Sequence, residues 1–363
     1  MTSKNPLRLI KQVPGRRGAA LLTVALALLA GRTPGLAWDY EVHRLINQVA
    51  LGTLPTNFPA FVRTPEAVER IGFLAGEPDR WRNVQDLSLR HSSGPDHYMD
   101  LEQLAGYGLK PEGLPAFRYV FEEDLAVVRQ AHPEKFTELA GARNEDRTRE
   151  MIGLVPWAIA ENYSKLKSCF SYLKTFQEGG TPAEIANAQA DVVYVMGTMG
   201  HYVGDACQPL HTTVHFRGWV GANPSGYTTN SRIHAWIDGG FFDQVGGPDR
   251  AGIEGRLRTA RPVSVENRDA RPAEIFPAAV AFLVEQNKLV EPLYRLEKDG
   301  KLSGEPGPGR AGKEFLEAQI AKGAQFLADL WVSAWQQAGT DGYLRGQLER
   351  RKNASHDGGT TKP

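Results

Sequence analysis

Residues 181–211, TPAEIANAQADVVYVMGTMGHYVGDACQPLH, decide how the chain is read. Thr181 is a good helix N-cap, and Pro182 suits the first helical position, where its missing N–H costs nothing. The pattern predicts one long helix from Pro182 to Asp205. Gln208-Pro209 ends it, because proline cannot continue the helical hydrogen bonding. His201 and Asp205, spaced i, i+4, project from one face about one turn apart. The turn then swings His211 back toward the same pocket. A second i, i+4 pair follows at His234-Ala-Trp-Ile-Asp238. One such pair is ordinarily a helix-surface hydrogen bond or weak ion pair; two, joined by a third histidine in a proline turn, point to metal. Neutral imidazole with carboxylate suits zinc, and a carboxylate can bridge two ions. Cys207, two residues beyond Asp205, falls roughly 200° around the helix, so it packs behind the site.

Outward from this helix the pattern stays helical. Val42, Leu45, Ile46 and Val49 form one face over residues 38–51, and Met151 to Phe176 reads as a second long helix. Gly312 to Ala338 is a third, with Phe315, Ile320, Phe326, Leu327, Leu330, Trp331 and Trp335 along one stripe. Residues 115–131 and 276–296 are shorter helices. Residues 215–232, 243–273 and 304–312 carry the Gly, Pro, Asn and Ser of loops. No run of alternating strands and no internal repeat is present. The expected fold is all-α: a single, mostly helical domain over residues 38–344, with long loops around a metal cleft. The polar, basic tail, residues 345–363, is expected to be disordered.

Residues 1–37 read as a cleaved signal peptide. Lys4, Arg8, Lys11, Arg16 and Arg17 precede the apolar run Ala19 to Ala30, and Gly35-Leu36-Ala37 offers small residues for a cut before Trp38. The run is short for a spanning helix, which needs roughly 20 apolar residues; a retained N-terminal anchor is the alternative. The expected location is therefore extracytoplasmic, periplasmic or secreted. Cleavage would remove six basic residues and no acidic one, leaving 36 Lys+Arg against 42 Asp+Glu, a formal charge of −6. Such a chain has no broad electrostatic funnel for polyanions, so any nucleic-acid binding must be local. Cys169 and Cys207 are the only cysteines, and sequence leaves open whether they form a bridge or stay separate thiols.

Further motifs complete a constellation: Trp38-Asp-Tyr-Glu-Val-His43, Gly76-Glu-Pro-Asp79-Arg-Trp81, and His97-Tyr-Met-Asp100. With His201, Asp205, His211, His234 and Asp238, these resemble the zinc-dependent phospholipase C/S1–P1 nuclease superfamily. The resemblance runs from residue 38 to about 340, and it implies that Asp79 lies on a turn. It implies three zinc ions held by Trp38, through its freed α-amino group and carbonyl, and by His43, Asp79, His97, His201, Asp205, His211, His234 and Asp238. The implied grouping is Asp79, His97 and His201 for one ion, and Trp38, His43 and Asp205 for a second, with Asp205 a candidate bridge. His211, His234 and Asp238 would hold a third. Asp79 and Asp205 are the candidate catalytic residues, as bridging or positioning carboxylates. The short Trp38–His43 spacing is that of the nuclease branch. Two features depart from the family: the stretch from His97 to His201 is long, so that Leu101 to about Lys174 includes an insertion, and the nuclease disulfides are missing.

The chemistry expected is metal-assisted phosphoester hydrolysis. Zinc lowers the pKa of bound water toward neutrality, so no serine or cysteine nucleophile is required, and none is found in a convincing triad. The leading expectation is an S1/P1-type nuclease acting on single-stranded DNA, RNA or 3′-nucleotides, as a monomer. Its competitors are a phospholipase C acting on phospholipid head groups and a non-catalytic zinc-stabilised binding protein. His91 and His132 are expected at the surface and His356 in the tail. His215 is a candidate for the cleft wall. The tryptophans Trp81, Trp157, Trp236, Trp331 and Trp335 are expected in the core, with Tyr98 and Trp219 as candidate cleft residues.

Overall fold

The segment with the strongest helical signal becomes a long helix against which many of the other described helices pack. The computed structural model describes residues 39–136, 141, 144–263, 275–305 and 307–357. Its helices are α1 (Tyr40–Gly52), α2 (Pro65–Leu74), α3 (Glu77–Asn83), α4 (Leu87–Ser93) and α5 (Arg118–Ala131). They continue with α6 (Val155–Gly179), α7 (Pro182–Cys207), α8 (Ile233–Ala235), α9 (Phe241–Val245) and α10 (Arg250–Glu254). The last are α11 (Phe276–Asn287), α12 (Val290–Lys298), α13 (Arg310–Gln337) and α14 (Gly342–Asp357). Short 3₁₀ turns join several of them, and no strand occurs among the described residues. No described helix is long and apolar enough to cross a membrane.

Helix α7 starts where Thr181 predicts. Its hydroxyl accepts from the Glu184 N–H, while the Glu184 carboxylate accepts from the Thr181 N–H; this reciprocal cap fixes the first turn. Every residue from Val195 to Cys207 is buried, as expected of a helix packed on all sides. Its neighbours are α6, α13, α2, α1, α11 and α3. Two glycines set how closely α1 approaches. A Cβ on Gly200 would fall 1.7 Å from Asn47 Oδ1, and one on Gly204 would fall 2.6 Å from His43 Nδ1. Asn47 uses that closeness: its Nδ2 donates to the Ile71 carbonyl at 2.9 Å and the Gly197 carbonyl at 3.0 Å. One buried amide thus ties α1, α2 and α7 together next to His43 and His201.

Several expectations are corrected. The tail from Arg345 is not disordered as far as Asp357, since α14 packs on α6. Leu348 is buried beside Gly179, Arg345 pairs with Glu178, and Arg351 makes two bonds to Glu184. Exposed ion pairs add little to stability, so Leu348 is the anchor, and one leucine in a polar, basic segment gives too little periodicity to be read. Residues 358–363 lie outside the described residues, as do residues 1–38. The helix expected over 276–296 is two helices, broken between Asn287 and Val290. The loop expected over 243–273 contains α10, and residues 264–273 lie outside the described residues. Asp79, expected on a turn, sits in α3. No disulfide joins Cys169 to Cys207, and Cys207 packs behind the site with its thiol donating to the Gly204 carbonyl at 3.0 Å.

Candidate metal centre

Six segments distant in sequence deliver eight of the nine expected ligands to one buried place. Helix α1 presents His43, α3 presents Asp79, and the 3₁₀ turn Gly94–His97 presents His97. Helix α7 presents His201 and Asp205, and the turn Pro209–Thr212 returns His211. His234 and Asp238 come from α8 and the π-helical turn Trp236–Gly240 that continues it. The wider π turn keeps residues four apart nearly in line, and such turns recur at functional sites. Trp38, the ninth, lies outside the described residues. Its neighbour Asp39 is fixed: its N–H donates to the Asp238 carbonyl at 3.1 Å, and its carboxylate caps α1.

The side chains form three clusters able to hold a metal ion: His43, His201 and Asp205; Asp79, His97 and His201; His211, His234 and Asp238. In the second, Asp79 Oδ1 lies 3.9 Å from His97 Nδ1 and 3.8 Å from His201 Nε2, and the two nitrogens are 2.9 Å apart. A tetrahedral ion with ligands at roughly 2.0–2.1 Å has edges of about 3.3 Å, so this triangle is of the right size. Asp205 faces two ways. Its Oδ2 is 2.8 Å from His97 Nδ1 and 3.1 Å from His201 Nε2, while its Oδ1 is 3.5 Å from His43 Nε2 and 3.3 Å from His211 Nδ1. One carboxylate therefore touches residues of all three clusters.

Neighbouring groups fix the histidine tautomers. The carbonyl of Ala75 accepts from His201 Nδ1–H at 2.6 Å, which leaves the His201 Nε2 lone pair for a cation. The His97 carbonyl accepts from His211 Nδ1–H at 2.7 Å and leaves His211 Nε2 free in the same way. Asp238 Oδ1 accepts from Gln208 Nε2 at 2.7 Å, and Asp238 Oδ2 points back to His234 Nε2 at 3.2 Å. Such outer partners orient metal ligands and raise their basicity. The buried atoms left with no hydrogen bond are concentrated here: both ring nitrogens of His43 and His234, His97 Nε2, His211 Nε2, Asp79 Oδ1, Asp205 Oδ1 and Asp238 Oδ2. Unpaired buried polar atoms are rare and costly. This donor set of imidazole nitrogen and carboxylate oxygen fits a divalent transition metal.

Charge in the site follows from burial. Burial pushes His43 down to about 4 and His97 down to about 3, helped at His97 by the Arg82 guanidinium. It also holds His211 and His234 below the usual imidazole range. These rings are free bases at neutral pH, the state that binds metal. At His201 burial works against the imidazolium, but Asp205 and Asp79 outweigh it and raise the ring. Burial pushes Asp205 up, yet His201 and His211 hold it well below the ordinary carboxyl value. Asp238 is raised well above that value by burial, which the bond from Gln208 does not offset. A divalent cation beside it would reverse that balance.

One residue escaped the sequence reading. Arg82 follows Asp79 by three positions on α3, and its Nε lies 2.8 Å from Asp79 Oδ1. Its Nε and Nη2 are buried without an aligned hydrogen bond, and its charge is felt at His97, His201, His234 and Asp238. The Asp79-x-x-Arg82 spacing was visible, but only a helix at that point puts both on one face. The other candidates divide. Tyr98 is partly buried, its hydroxyl donating to the Met151 carbonyl at 3.1 Å. Trp219 stacks on His215 at 4.0 Å and 5° and packs against Tyr227 and Tyr294. His215 Nδ1 accepts from the Val220 N–H at 3.0 Å. Phe216 carries this aromatic group to the edge of His234, with ring centroids 5.8 Å apart. Trp157 and Trp331 are fully buried, and His91 and His132 are exposed.

Fold and site together define a mostly helical protein whose buried centre is built from three His/Asp clusters competent to hold metal ions. No protein-family model matches the chain, and no curated protein matches it.

Proposed function

We propose that this chain is an exported, zinc-dependent phosphoesterase of the phospholipase C/S1–P1 nuclease type, closer to the nuclease branch, that hydrolyses phosphodiester bonds. The observation that carries this reading is Asp205, whose two oxygens face different histidines and so suit a bridge between neighbouring ions. Paired ions a few ångströms apart are the usual device for in-line displacement at phosphorus. When bound, the ions acidify water and polarise phosphoryl oxygens.

The chain's own residues do the rest. With ions bound, His43, His97, His211 and His234 would act as neutral ligands, His201 would join them by giving up its proton, and Asp79, Asp205 and Asp238 would supply three negative charges. Three divalent ions held by three carboxylates would leave an excess of positive charge, to which Arg82 would add its guanidinium. The pocket therefore draws an anion even on a mildly acidic chain. Arg82 is placed to hold a phosphoryl oxygen as charge develops on it, a role worth roughly 100-fold or more in rate for one such donor. A signal cut before Trp38 would free its α-amino group. We assign that amine and the Trp38 carbonyl to the ion shared with His43 and Asp205.

Phospholipid is the alternative substrate, left open by the acidic net charge of the chain after residue 37 and by the missing nuclease disulfides. Purified protein assayed in parallel on single-stranded DNA, RNA, 3′-nucleotides and phosphatidylcholine, with metal counted on the same sample, separates the readings. Hydrolysis of phosphatidylcholine alone would replace nuclease with phospholipase. Fewer than two bound ions, or activity that survives thorough chelation, would remove the phosphoesterase reading altogether.

A further inference from the structure

The long stretch between His97 and His201 helps to build a second cavity, of about 490 Å³, lined by none of the metal-cluster residues. Its floor is apolar, made by Pro95, Leu125, Met151 and Leu154. Tyr119 stands at its lip with its side chain 84% exposed. Arg118, Arg129, Arg147 and His91 line its wall, facing Glu122.

Glu122 is the group without an internal explanation. Its Oε1 is buried and has no hydrogen-bond partner in the protein. Burial pushes its carboxyl up, against the pull of Arg118, Arg129 and His91. A buried acceptor left without a donor is costly, so a donor from outside is the natural complement. The neighbours are committed elsewhere. Arg118 donates to Asp96 and Glu161, Arg129 donates to the Tyr107 hydroxyl, and the Asp146 carbonyl holds His91 Nδ1.

The charge around the cavity narrows the ligand. An ammonium ion would meet three guanidinium groups before it reached Glu122. The fit is to a flat, uncharged ring with apolar faces, N–H donors along one edge and an anionic tail directed outward. Single-stranded nucleic acid offers such a ring: its unstacked bases are held by aromatic side chains and read along their hydrogen-bonding edges. Guanine presents two adjacent N–H donors, which match the two oxygens of a carboxylate. Uracil presents one N–H between two carbonyls, which a carboxylate repels.

We propose that this cavity is a base-binding site for single-stranded nucleic acid, in which Glu122 accepts from the donor edge of guanine and Tyr119 stacks on the ring. The source of that base rests on the nuclease reading above. The rear wall is joined to the segment that carries His97. Leu154 N–H donates to the Pro95 carbonyl at 2.7 Å, Val155 N–H to the Tyr98 carbonyl at 3.2 Å, and Asp100 N–H to the Ile152 carbonyl at 2.7 Å. A base held there is fixed relative to the cluster of Asp79, His97 and His201, so the site ties the grip on the strand to the place of cleavage.

Guanosine and uridine, titrated calorimetrically into the metal-loaded protein, test the proposal. Neither carries a phosphate, and saturating inorganic phosphate keeps the metal centre filled. Guanosine should bind at least about tenfold more tightly than uridine, as expected of a paired hydrogen-bond match. Glu122→Gln should abolish that preference, and Tyr119→Ala should weaken guanosine by about tenfold. Equal binding of the two nucleosides, no binding of either, or guanosine affinity unchanged in both variants would overturn it. Turnover of bis(p-nitrophenyl) phosphate, which has no base, is read beside it. Glu122→Gln should leave that turnover intact, and its absence from the parent protein would sink the nuclease reading while the guanosine result stood on its own.

Discussion

Gly204→Ala and Gly200→Ala are the same chemical change, four residues apart on α7, and should fail differently. A Cβ added at Gly204 would lie 2.6 Å from His43 Nδ1 and 3.0 Å from its Cε1. Ordinary contact needs about 3.5 Å, so the ring must retreat by close to 0.9 Å, several times the roughly 0.2 Å tolerance of a metal–ligand distance. Displacing a ligand that is otherwise intact should cost the ion shared by His43 and Asp205 about 10–100-fold in affinity, or about 1.4–2.7 kcal/mol. The metal-free fold should suffer less, because alanine gains about 0.5–1 kcal/mol of helix propensity over glycine. That gain partly offsets an overpacking cost of about 1–3 kcal/mol. At Gly200 the new Cβ would lie 1.7 Å from Asn47 Oδ1. Asn47 must then leave, and two buried carbonyls, of Ile71 and Gly197, lose their donor. At about 1–3 kcal/mol each, that loss should appear equally with and without metal. Metal counting, chelator competition and melting curves with and without chelator distinguish the two outcomes. A Gly204→Ala protein with three ions at parent affinity would refute the assignment of His43 as a ligand.

The remaining expectations follow from the same geometry. Asp205→Asn should lower the metal count by at least one and reduce phosphodiester turnover by at least about 100-fold; an unchanged metal count would show that Asp205 is not shared. Arg82→Ala should retain the metals but lose about 100-fold in kcat, and parent-level kcat would remove Arg82 from the chemistry. Chelation should leave the protein folded at 25 °C on its apolar core but lower its melting temperature. At a thousandfold excess over Kd each ion adds about 4 kcal/mol, or roughly 8 °C at about 2 °C per kcal/mol; a melt indifferent to chelator contradicts this. In the metal-free protein, NMR titration should find His43 changing charge near pH 4 and His97 near pH 3, because burial opposes the imidazolium. Each pKa is depressed, so the stability each ring contributes is fully present above pH 6.5 and is lost as pH falls through the folded value. Titration of either ring near its ordinary value would show that it is exposed to water. A precursor carrying one extra residue before Trp38 should lack one ion and most activity, and full activity there would make Trp38 an ordinary tryptophan.

Sequence alone determined the parts of this protein that are local and periodic. Thr181-Pro182 and Gln208-Pro209 bound α7 because capping and the missing proline N–H act within a few residues. The i, i+4 spacing brought His201 and Asp205 to one face for the same reason, and the apolar stripe of α13 was plain over 28 residues. Tertiary structure decided everything that depends on what lies across from a residue. The closeness of α1 to α7, set by Gly200 and Gly204, becomes a constraint only once Asn47 and His43 stand opposite. Leu348 became an anchor only against Gly179, which turned a tail that reads as disordered into α14. Arg82 joined the centre because α3 is a helix and not a turn. The histidines could be picked out by residue type and order. That Asp205 divides its oxygens among them, and that four of the five are held as free bases, are consequences of distance and burial, which a sequence does not contain.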